Sequence, residues 1–359
     1  MLSNIDIRNL AYYFSKFDHR LTSELAVSEP PDERELTRRL SRMLAGDETW
    51  SIDFTPSQDW LEERLGWSLQ LTMQAHPSKW EHHVSHSDFG LIISFKDEVR
   101  QMPTQSAAYL IQAKRLYTDT HGQYSLASKF GAVDRQQRLK LRHLAKRLGE
   151  AAVKFAAYCP PVDFFESTAA EVIRTTHQSN ASALYVGSTF GLALQQHLEL
   201  EPSPVSEAGF WITPTLEQFR TAADLHKNAI IRNLPFGWFV IANAWNLSIL
   251  GSEVPSKGRP LTTAPFVIPW MPTNPAFGNL FNIGIDAEIH RLTMGLARGD
   301  SSVAQELAAG TDAEVPASAF RPSATFEVTV MRRAHPTLKP TLDDIPQDDA
   351  DPGFTIGRF

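Results

Sequence analysis

The chain has a single cysteine and no long hydrophobic run. Cys159 is the only cysteine in 359 residues, so no disulfide can form within the chain, and a reducing compartment is favoured. The most apolar stretch, residues 235–250, is too short to span a bilayer and contains two asparagines, so we expect it to lie in the core. Residues 1–14 mix charged and polar residues with apolar ones and lack the core of a signal peptide. We expect a cytoplasmic protein without a membrane partner.

The chain also lacks a glycine-rich phosphate-binding loop, which argues against an ATPase or a dinucleotide-dependent enzyme. Its net charge of −7 at first argues against a polyanionic partner. The charge is uneven, however, because residues 129–154 contain eight Lys or Arg and two acidic residues, whereas residues 336–359 contain five aspartates and two basic residues. A local basic patch is enough to bind a polyanion, so nucleic acid remains a candidate partner.

Hydrophobic periodicity predicts an α/β protein, with a mixed sheet flanked by helices in its N-terminal part and a further α+β region behind it. The predicted helices cover residues 5–25, 33–45, 133–157 and 215–228. The predicted strands cover residues 89–95, 107–116, 183–186, 236–242 and 326–331. We expect residues 1–162 to form one domain and residues 163–335 to form a C-terminal region that has its own role or completes that domain. Residues 336–359 are acidic and punctuated by proline, which is typical of a disordered tail.

Two neighbouring predicted strands bring polar groups together. Gln112 and Lys114 lie on one face of the second strand, because successive residues of a strand face opposite ways. If the connection turns near residues 99–101, antiparallel pairing places Asp88 opposite Gln112 or Lys114. The sequence therefore predicts a carboxylate, an amide oxygen and an ammonium at one end of a sheet.

Phosphodiester hydrolysis needs this combination, since the attacking water must be held in line with phosphorus and the charge on the phosphoryl oxygens must be neutralised. A hard divalent cation such as Mg²⁺ or Mn²⁺ does both and prefers oxygen ligands. Asp88 would be the main carboxylate ligand, Gln112 would supply its amide oxygen, and Ala113 would supply its backbone carbonyl. Lys114 would orient the nucleophilic water and stabilise the transition state. Glu35, the third residue of the predicted helix 33–45, would complete the metal shell directly or through water.

This order of parts resembles the restriction-endonuclease-like superfamily, the PD-(D/E)xK nucleases. In that superfamily a helix glutamate precedes an aspartate on one strand and an acid-x-lysine on the next. Here Gln112 replaces the acid, giving Gln-Ala-Lys, a variant shared with the Mrr-type branch of restriction enzymes. Further similarities to that branch and to bacterial defence nucleases of this type are Ser87-Asp88-Phe89-Gly90, Glu35-Leu36-Thr37-x-x-Leu40 and Tyr158-Cys159-Pro160. The resemblance covers roughly residues 30–160.

The resemblance implies a restriction-endonuclease-like mixed sheet and a Mg²⁺- or Mn²⁺-dependent endonuclease that acts on DNA rather than RNA, in prokaryotic restriction or anti-phage defence. A double-strand cut needs two sites, so a homodimer is a reasonable expectation. Two alternatives stay open. One is a catalytically inactive nuclease-fold module that binds nucleic acid or assembles with a partner. The other is a ligand-sensing effector whose chemistry lies in the C-terminal half.

Other polar residues are weaker candidates. The predicted helix 133–157 carries a basic face that would contact phosphates next to a nuclease site, although such a face is often only solvated. This face consists of Arg135, Arg138, Arg142 and Lys146. Gln137 is a candidate accessory residue, since related nucleases often add a polar residue there, and His86 is a candidate near the mouth of the site. Zinc bound by His82, His83 and His86 is disfavoured, because no cysteine or further carboxylate has ligand spacing. Glu33 is expected on a solvent-exposed face of its helix.

Overall fold

The computed structural model describes most of the chain in a set of separate ranges. These are residues 2–27, 29–44, 67–76, 88–132, 135–182, 189–200, 203, 205, 207–214, 219–250, 282, 286–309 and 322–333. The strands are β1 (Trp67–Ala75), β2 (Phe89–Asp97), β3 (Gln105–Arg115), β4 (Val153–Tyr158), β5 (Phe210–Thr213), β6 (Leu234–Pro235) and β7 (Ala324–Arg332). The helices are α1 (Asn4–Thr22), α2 (Glu33–Leu44), α3 (Arg135–Leu148), α4 (Ser167–Ser182), α5 (Thr189–Leu198), α6 (Ala222–Lys227), α7 (Phe236–Leu250), α8 (Ala287–Ala297) and α9 (Ser301–Ala309).

The strands form one mixed sheet in the order β1-β7-β2-β3-β4-β5-β6. Strands β2 and β3 pair antiparallel, whereas β2 with β7 and β3 with β4 pair parallel. The remaining pairings are antiparallel. Strands β5 to β7 come from residues 163–335, and β7 lies between β1 and β2. Both halves of the chain therefore build the same sheet, and the fold is α/β.

Helices cover both faces of the central strands, which explains why β2 and β3 are nearly continuous apolar runs. On one face, the Tyr109 hydroxyl donates a hydrogen bond to the side-chain oxygen of Asn243 in α7. On the other face, α8 approaches β2 at Gly90. A Cβ on Gly90 would lie 2.1 Å from the carbonyl oxygen of Ala297, so a side chain is excluded there.

Several predicted elements are confirmed. The predicted helix 33–45 corresponds to α2, whose first turn is capped by the Asp32 carboxylate accepting from the Glu35 N–H at 2.8 Å. The predicted helix 5–25 corresponds to α1 and a following 3-10 turn. The predicted strands 89–95, 107–116 and 326–331 correspond to β2, β3 and β7.

Two predicted elements are wrong. The helix predicted over residues 133–157 ends at Leu148, because Gly149 adopts a φ of 89° and β4 begins at Val153. The strand predicted over residues 236–242 is the first half of α7, because an apolar run without alternation does not distinguish a buried strand from a buried helix. The expected burial of this stretch is confirmed from Pro235 to Ser248.

Other predictions are shortened or fall outside the described residues. Helix α6 is shorter than the predicted 215–228, since it begins after Thr221, whose hydroxyl accepts from the Asp224 N–H at 3.2 Å. The predicted strand 183–186 and the predicted tail 336–359 lie outside the described residues. Within the described ranges, no helix is both long enough and apolar enough to cross a membrane.

Candidate functional site

Asp88 immediately precedes β2 and lies directly against β3. Phe89 pairs with Ile111, which confirms the predicted register and places Asp88 opposite Gln112. The Asp88 N–H donates to the Ile111 carbonyl at 2.8 Å. The carboxylate oxygen Oδ2 of Asp88 accepts from Gln112 Nε2 at 2.6 Å and from the Ala113 N–H at 2.7 Å. A side chain and the backbone of β3 therefore both hold this carboxylate.

The Asp88 carboxyl group is buried against the strand, although the residue as a whole is only half-buried. Burial raises the pKa of Asp88 to about 7, well above the ordinary value for an aspartate. The hydrogen bond from Ala113 and the charges of Lys114 and Arg34 lower this pKa by smaller amounts, while the charge of Glu33 raises it. A cation beside Asp88 would favour its ionised form and lower this pKa.

Lys114 lies on the same face of β3 as Gln112 and is 7% exposed. Its Nζ lies 3.3 Å from Oε2 of Glu33, at the start of α2. The other oxygen of Glu33, Oε1, accepts from the Arg115 N–H at 3.1 Å. Glu33 therefore joins α2 to β3 through the ammonium of Lys114 and through the strand backbone.

The expectation that Glu35 joins this cluster is not met. Its carboxylate pairs with Arg38 at 2.7 Å and with Arg39 at 2.9 Å, and the hydrogen bond from Arg38 is the main reason why the pKa of Glu35 is lowered to about 2. Glu33, expected to be solvent-exposed, instead takes the position assigned to Glu35. Its side chain is 23% exposed.

The sequence does contain a pattern that indicates a buried position for Glu33. This residue lies three positions before Leu36 and seven before Leu40, both of which are fully buried. Residues at these spacings share one face of a helix, so Glu33 lies on the apolar stripe of α2. Glu35 lies off that stripe. An acid in line with an apolar stripe is the better candidate for a buried site.

Arg115 fixes the segment that leads into α2. Its Nη1 donates to the Pro30 carbonyl at 2.8 Å and also to the Pro31 carbonyl. Its guanidinium lies over the ring of Tyr117, 4.3 Å from the centroid. These contacts hold the first turn of α2 at the end of β3, where Glu33 reaches Lys114.

Gly131 borders the same carboxylate. Its N–H donates to the Arg115 carbonyl at 3.0 Å, which draws the segment around Gly131 along the end of β3. A Cβ on Gly131 would lie 2.5 Å from Oε1 of Glu33. The absence of a side chain therefore leaves the space that the Glu33 carboxylate occupies.

Gln137, from α3, extends the cluster on the side away from Asp88. It is 5% exposed, and its Nε2 donates to Oε1 of Gln112 at 2.7 Å. Gln112 in turn donates to Asp88. Two hydrogen bonds therefore run in series from α3 through the Gln112 amide to the carboxylate. The structure thus brings together Asp88, Gln112 and Lys114 with Gln137 and the unpredicted Glu33.

Ser323, the residue before β7, supports the backbone of Asp88 from the other side. The N–H of Ser323 donates to the Asp88 carbonyl at 3.3 Å, and the Ser323 hydroxyl donates to the same oxygen. The C-terminal half of the chain therefore helps to position the N-terminal carboxylate. The glycine of the Asp-Phe-Gly segment, Gly90, has the packing role against α8 described above.

The predicted basic face of α3 points away from this cluster. Its four side chains are exposed, whereas Gln137 and Leu141 on the same helix are buried. The four residues are Arg135, Arg138, Arg142 and Lys146. Their spacing of three or four residues places them on one face, nearly opposite Gln137. They form an outer basic surface, and they do not line the site.

Arg34 provides a positive charge next to the cluster instead. It follows Glu33 in α2 and is exposed, and its charge lowers the pKa of Asp88. Within the described ranges it has no ion-pair partner. A guanidinium in this position is available to a phosphate at the site.

The oxygen atoms of the cluster decide which metal it suits. Among the described residues, no group of three or more His, Cys, Asp or Glu side chains is placed to hold a metal ion. The cluster offers two carboxylates, from Asp88 and Glu33, and the amide of Gln112. The Ala113 carbonyl, another predicted ligand, accepts from Gln112 Nε2 at 3.3 Å. His86, like its two neighbouring histidines, lies outside the described residues.

Comparison with known proteins leaves the geometry as the main evidence for function. No protein-family model, no curated protein and no solved structure matches this chain.

Proposed function

We propose that the chain is a metal-dependent nuclease with a restriction-endonuclease-like core, hydrolysing phosphodiester bonds in DNA. The convergence of Asp88, Gln112 and Lys114 from two paired strands, with Glu33 from a helix, carries this proposal. A role in prokaryotic restriction or anti-phage defence follows from the sequence resemblance and belongs to the same proposal.

The donor set of the cluster fits Mg²⁺ or Mn²⁺. Both ions prefer oxygen ligands, and Mg²⁺ in particular is held by one or two carboxylates together with substrate phosphates. Asp88 and Glu33 would provide the carboxylates, and Gln112 would provide an amide oxygen. The bound ion would polarise the phosphate and lower the pKa of a water molecule. With only two acids, the substrate phosphate would complete the shell.

Lys114 would orient the nucleophilic water. Its side chain is almost wholly buried, and its ammonium pairs with Glu33. A buried ammonium can hold an attacking water and stabilise negative charge that develops on the phosphoryl oxygens. Arg34, at the exposed edge, would bind the phosphate that enters.

Cleavage assays test the proposal. Purified wild-type chain is incubated with supercoiled, linear and single-stranded DNA in Mg²⁺ or Mn²⁺, beside the Asp88→Asn and Lys114→Met variants. We expect cleavage by the wild type and a loss of at least about a hundredfold in either variant, as for removal of a transition-state contact. Glu35→Gln is the matched control and should keep full activity. Equal cleavage by all four proteins would show that any nuclease activity has another source.

One observation favours a second candidate, an inactive module that binds nucleic acid. The cluster satisfies its own hydrogen bonds, since Gln112 donates to Asp88 and Lys114 pairs with Glu33. In that case DNA would bind, Arg34→Ala would weaken binding, and no metal would give cleavage. DNA binding without cleavage across these substrates and metals would support this candidate and contradict the nuclease.

A further inference from the structure

The contacts of Asp88 show the direction of the hydrogen bonds behind it. Its Oδ2 accepts from the Ala113 N–H at 2.7 Å and also from the Nε2 end of the Gln112 amide at 2.6 Å. The opposite end of the amide, Oε1, must then accept. Gln137 accordingly presents its own Nε2 to Gln112 Oε1, at 2.7 Å. Gln112 is 2% exposed and Gln137 is 5% exposed, so both side chains are shielded from bulk solvent.

This direction is the reverse of the one that a metal ion requires. A hard cation beside Asp88 binds the oxygen of an amide and is repelled by its NH₂ group. For Gln112 to offer its oxygen there, the amide must turn over, with Oε1 towards Asp88 and Nε2 towards Gln137. The NH₂ groups of Gln112 and Gln137 would then face each other, so the hydrogen bond between them would be lost in a buried place.

We propose that Gln137 is a positioning residue that sets the metal affinity of the site through the orientation of Gln112. Its donated hydrogen bond holds the Gln112 amide in the metal-free direction, so metal binding must overcome that bond. The inference rests on the proposed function, because it concerns the metal ion of that site. It assigns to Gln137 a restraining role that a residue merely lining the site would not have.

The size of the effect follows from one hydrogen bond. A buried hydrogen bond contributes about 1 kcal/mol net, which corresponds to about a fivefold change in a binding constant. Gln137→Leu keeps the volume of the side chain and removes the donor. This variant should therefore bind Mn²⁺ about fivefold more tightly than the wild type. Gln137→Met, which has the length of glutamine and no N–H, should act in the same direction.

A second background separates this role from a structural one. In Gln112→Glu the amide is replaced by a carboxylate, which offers oxygen in either orientation and accepts from Gln137 without any turn. Gln137→Leu in that background should leave Mn²⁺ affinity unchanged or lower it. Every other effect of replacing Gln137 is present in both backgrounds, so the difference between the two isolates the orientation of the amide.

The experiment is a calorimetric titration of Mn²⁺ into the full chain, for the wild type, Gln137→Leu, Gln137→Met, Gln112→Glu and the Gln112→Glu/Gln137→Leu double variant. A gain of about fivefold on removing Gln137, confined to the Gln112 background, supports the inference. An unchanged or weaker affinity in both single Gln137 variants overturns it, as does an equal gain in both backgrounds. If neither the wild type nor Gln112→Glu binds Mn²⁺ at millimolar concentration, the proposed metal site itself is wrong and the inference falls with it.

Discussion

Glu33 and Glu35 lie two residues apart in α2, yet Glu33 contacts the Lys114 ammonium at 3.3 Å, whereas Glu35 pairs with arginines on the helix surface. Two residues of a helix are separated by about 200° around its axis, so the two carboxylates point in opposite directions. The acid that serves the proposed site is therefore determined by the face of α2 that packs on the sheet.

Substitution of the two glutamates should give opposite results. Glu33→Gln removes one of the two carboxylates at the site, and we expect Mn²⁺ affinity to fall by at least about tenfold. Glu35→Gln removes only surface ion pairs, so affinity should stay the same and the free energy of unfolding should change by less than about 1 kcal/mol. Titration calorimetry and denaturant unfolding measure both quantities. A loss of Mn²⁺ binding in Glu35→Gln and none in Glu33→Gln would reverse the assignment.

Gly131→Ala should disturb the site without removing any of its polar groups. The added Cβ would lie 2.5 Å from Glu33 Oε1, so the carboxylate must shift from the position in which it accepts from the Arg115 N–H. We expect a severalfold loss of Mn²⁺ affinity or of cleavage rate. Gly122→Ala is the control, because Gly122 has a φ of 75° and no atom within 4 Å of the new Cβ. That variant should lose about 1 kcal/mol of stability and no metal affinity. Equal metal binding by the two variants would contradict the predicted clash with Glu33.

Arg115→Lys tests the anchor of α2. A lysine lacks the planar guanidinium that donates to both proline carbonyls through Nη1 while it stacks on the ring of Tyr117. The first turn of α2 should loosen, and metal affinity should fall by about tenfold, as it does for residues that orient a ligand. Tyr117→Phe keeps the ring under Arg115 and should change nothing. The two variants are compared by the same Mn²⁺ titration, and an unaffected Arg115→Lys would show that Glu33 is held by other contacts.

The raised pKa of Asp18 predicts that the stability of the fold depends on pH, independently of the proposed site. Burial raises its pKa to about 7, while hydrogen bonds from the Gly209 and Phe210 N–H groups and from Thr22 lower it by less. Between the ordinary pKa of an aspartate and about 7, the folded chain binds more protons than the unfolded chain at this residue. Its contribution to stability is therefore present at low pH and is lost as the pH rises towards 7.

The Asp18→Asn variant isolates that contribution. Asparagine does not titrate, so the stability of the wild type relative to the variant should fall between pH 4 and pH 7, by an amount on the order of 3 kcal/mol. Urea unfolding of both proteins at four pH values measures the difference, and other titrating groups cancel. A difference that stays constant with pH, or that grows in favour of the wild type, would contradict the raised pKa.

Arg34 and the outer basic face of α3 should affect DNA differently. The charge of Arg34 acts on the Asp88 carboxylate, so Arg34→Ala should lower both DNA affinity and cleavage rate. Arg138→Ala, on the outer face, should lower affinity and leave the rate at saturating DNA unchanged. On a plot of the logarithm of the binding constant against the logarithm of the salt concentration, the removal of one phosphate-binding side chain should make the slope shallower by about one. Binding in the Asp88→Asn background and single-turnover cleavage measure the two effects. A normal cleavage rate in Arg34→Ala would place the phosphate elsewhere.

The strand pair could be predicted from the sequence because local rules determine it. In an antiparallel pair, the residue numbers of opposed positions have a constant sum, so a turn near residue 100 places Asp88 opposite Gln112. Alternation along β3 places Lys114 on the same face as Gln112. Helix α2 was also predictable, since Asp32 caps it and its apolar stripe is regular. The prediction that Glu33 is solvent-exposed was wrong because Glu33 lies on the same helix face as the buried Leu36 and Leu40.

Long-range relationships could not be predicted from the sequence. The insertion of β7 between β1 and β2 joins residues more than two hundred positions apart, and no local pattern encodes it. The two faces of α7 are equally apolar, so its run of residues from Phe236 gave no period that would separate helix from strand. The predicted helix 133–157 ends early because Gly149 has a positive φ, and the spacing of apolar residues gives no information about that backbone conformation.

The most direct test of the proposed site is a crystal structure of the full chain soaked with Mn²⁺, with anomalous data collected for manganese. The proposed function predicts an anomalous peak between the carboxylates of Asp88 and Glu33, within coordination distance of both, with the Gln112 oxygen turned towards it. A structure that shows this cluster unchanged, with Gln112 Nε2 still on Asp88 and no manganese at the site at saturating Mn²⁺, would contradict it.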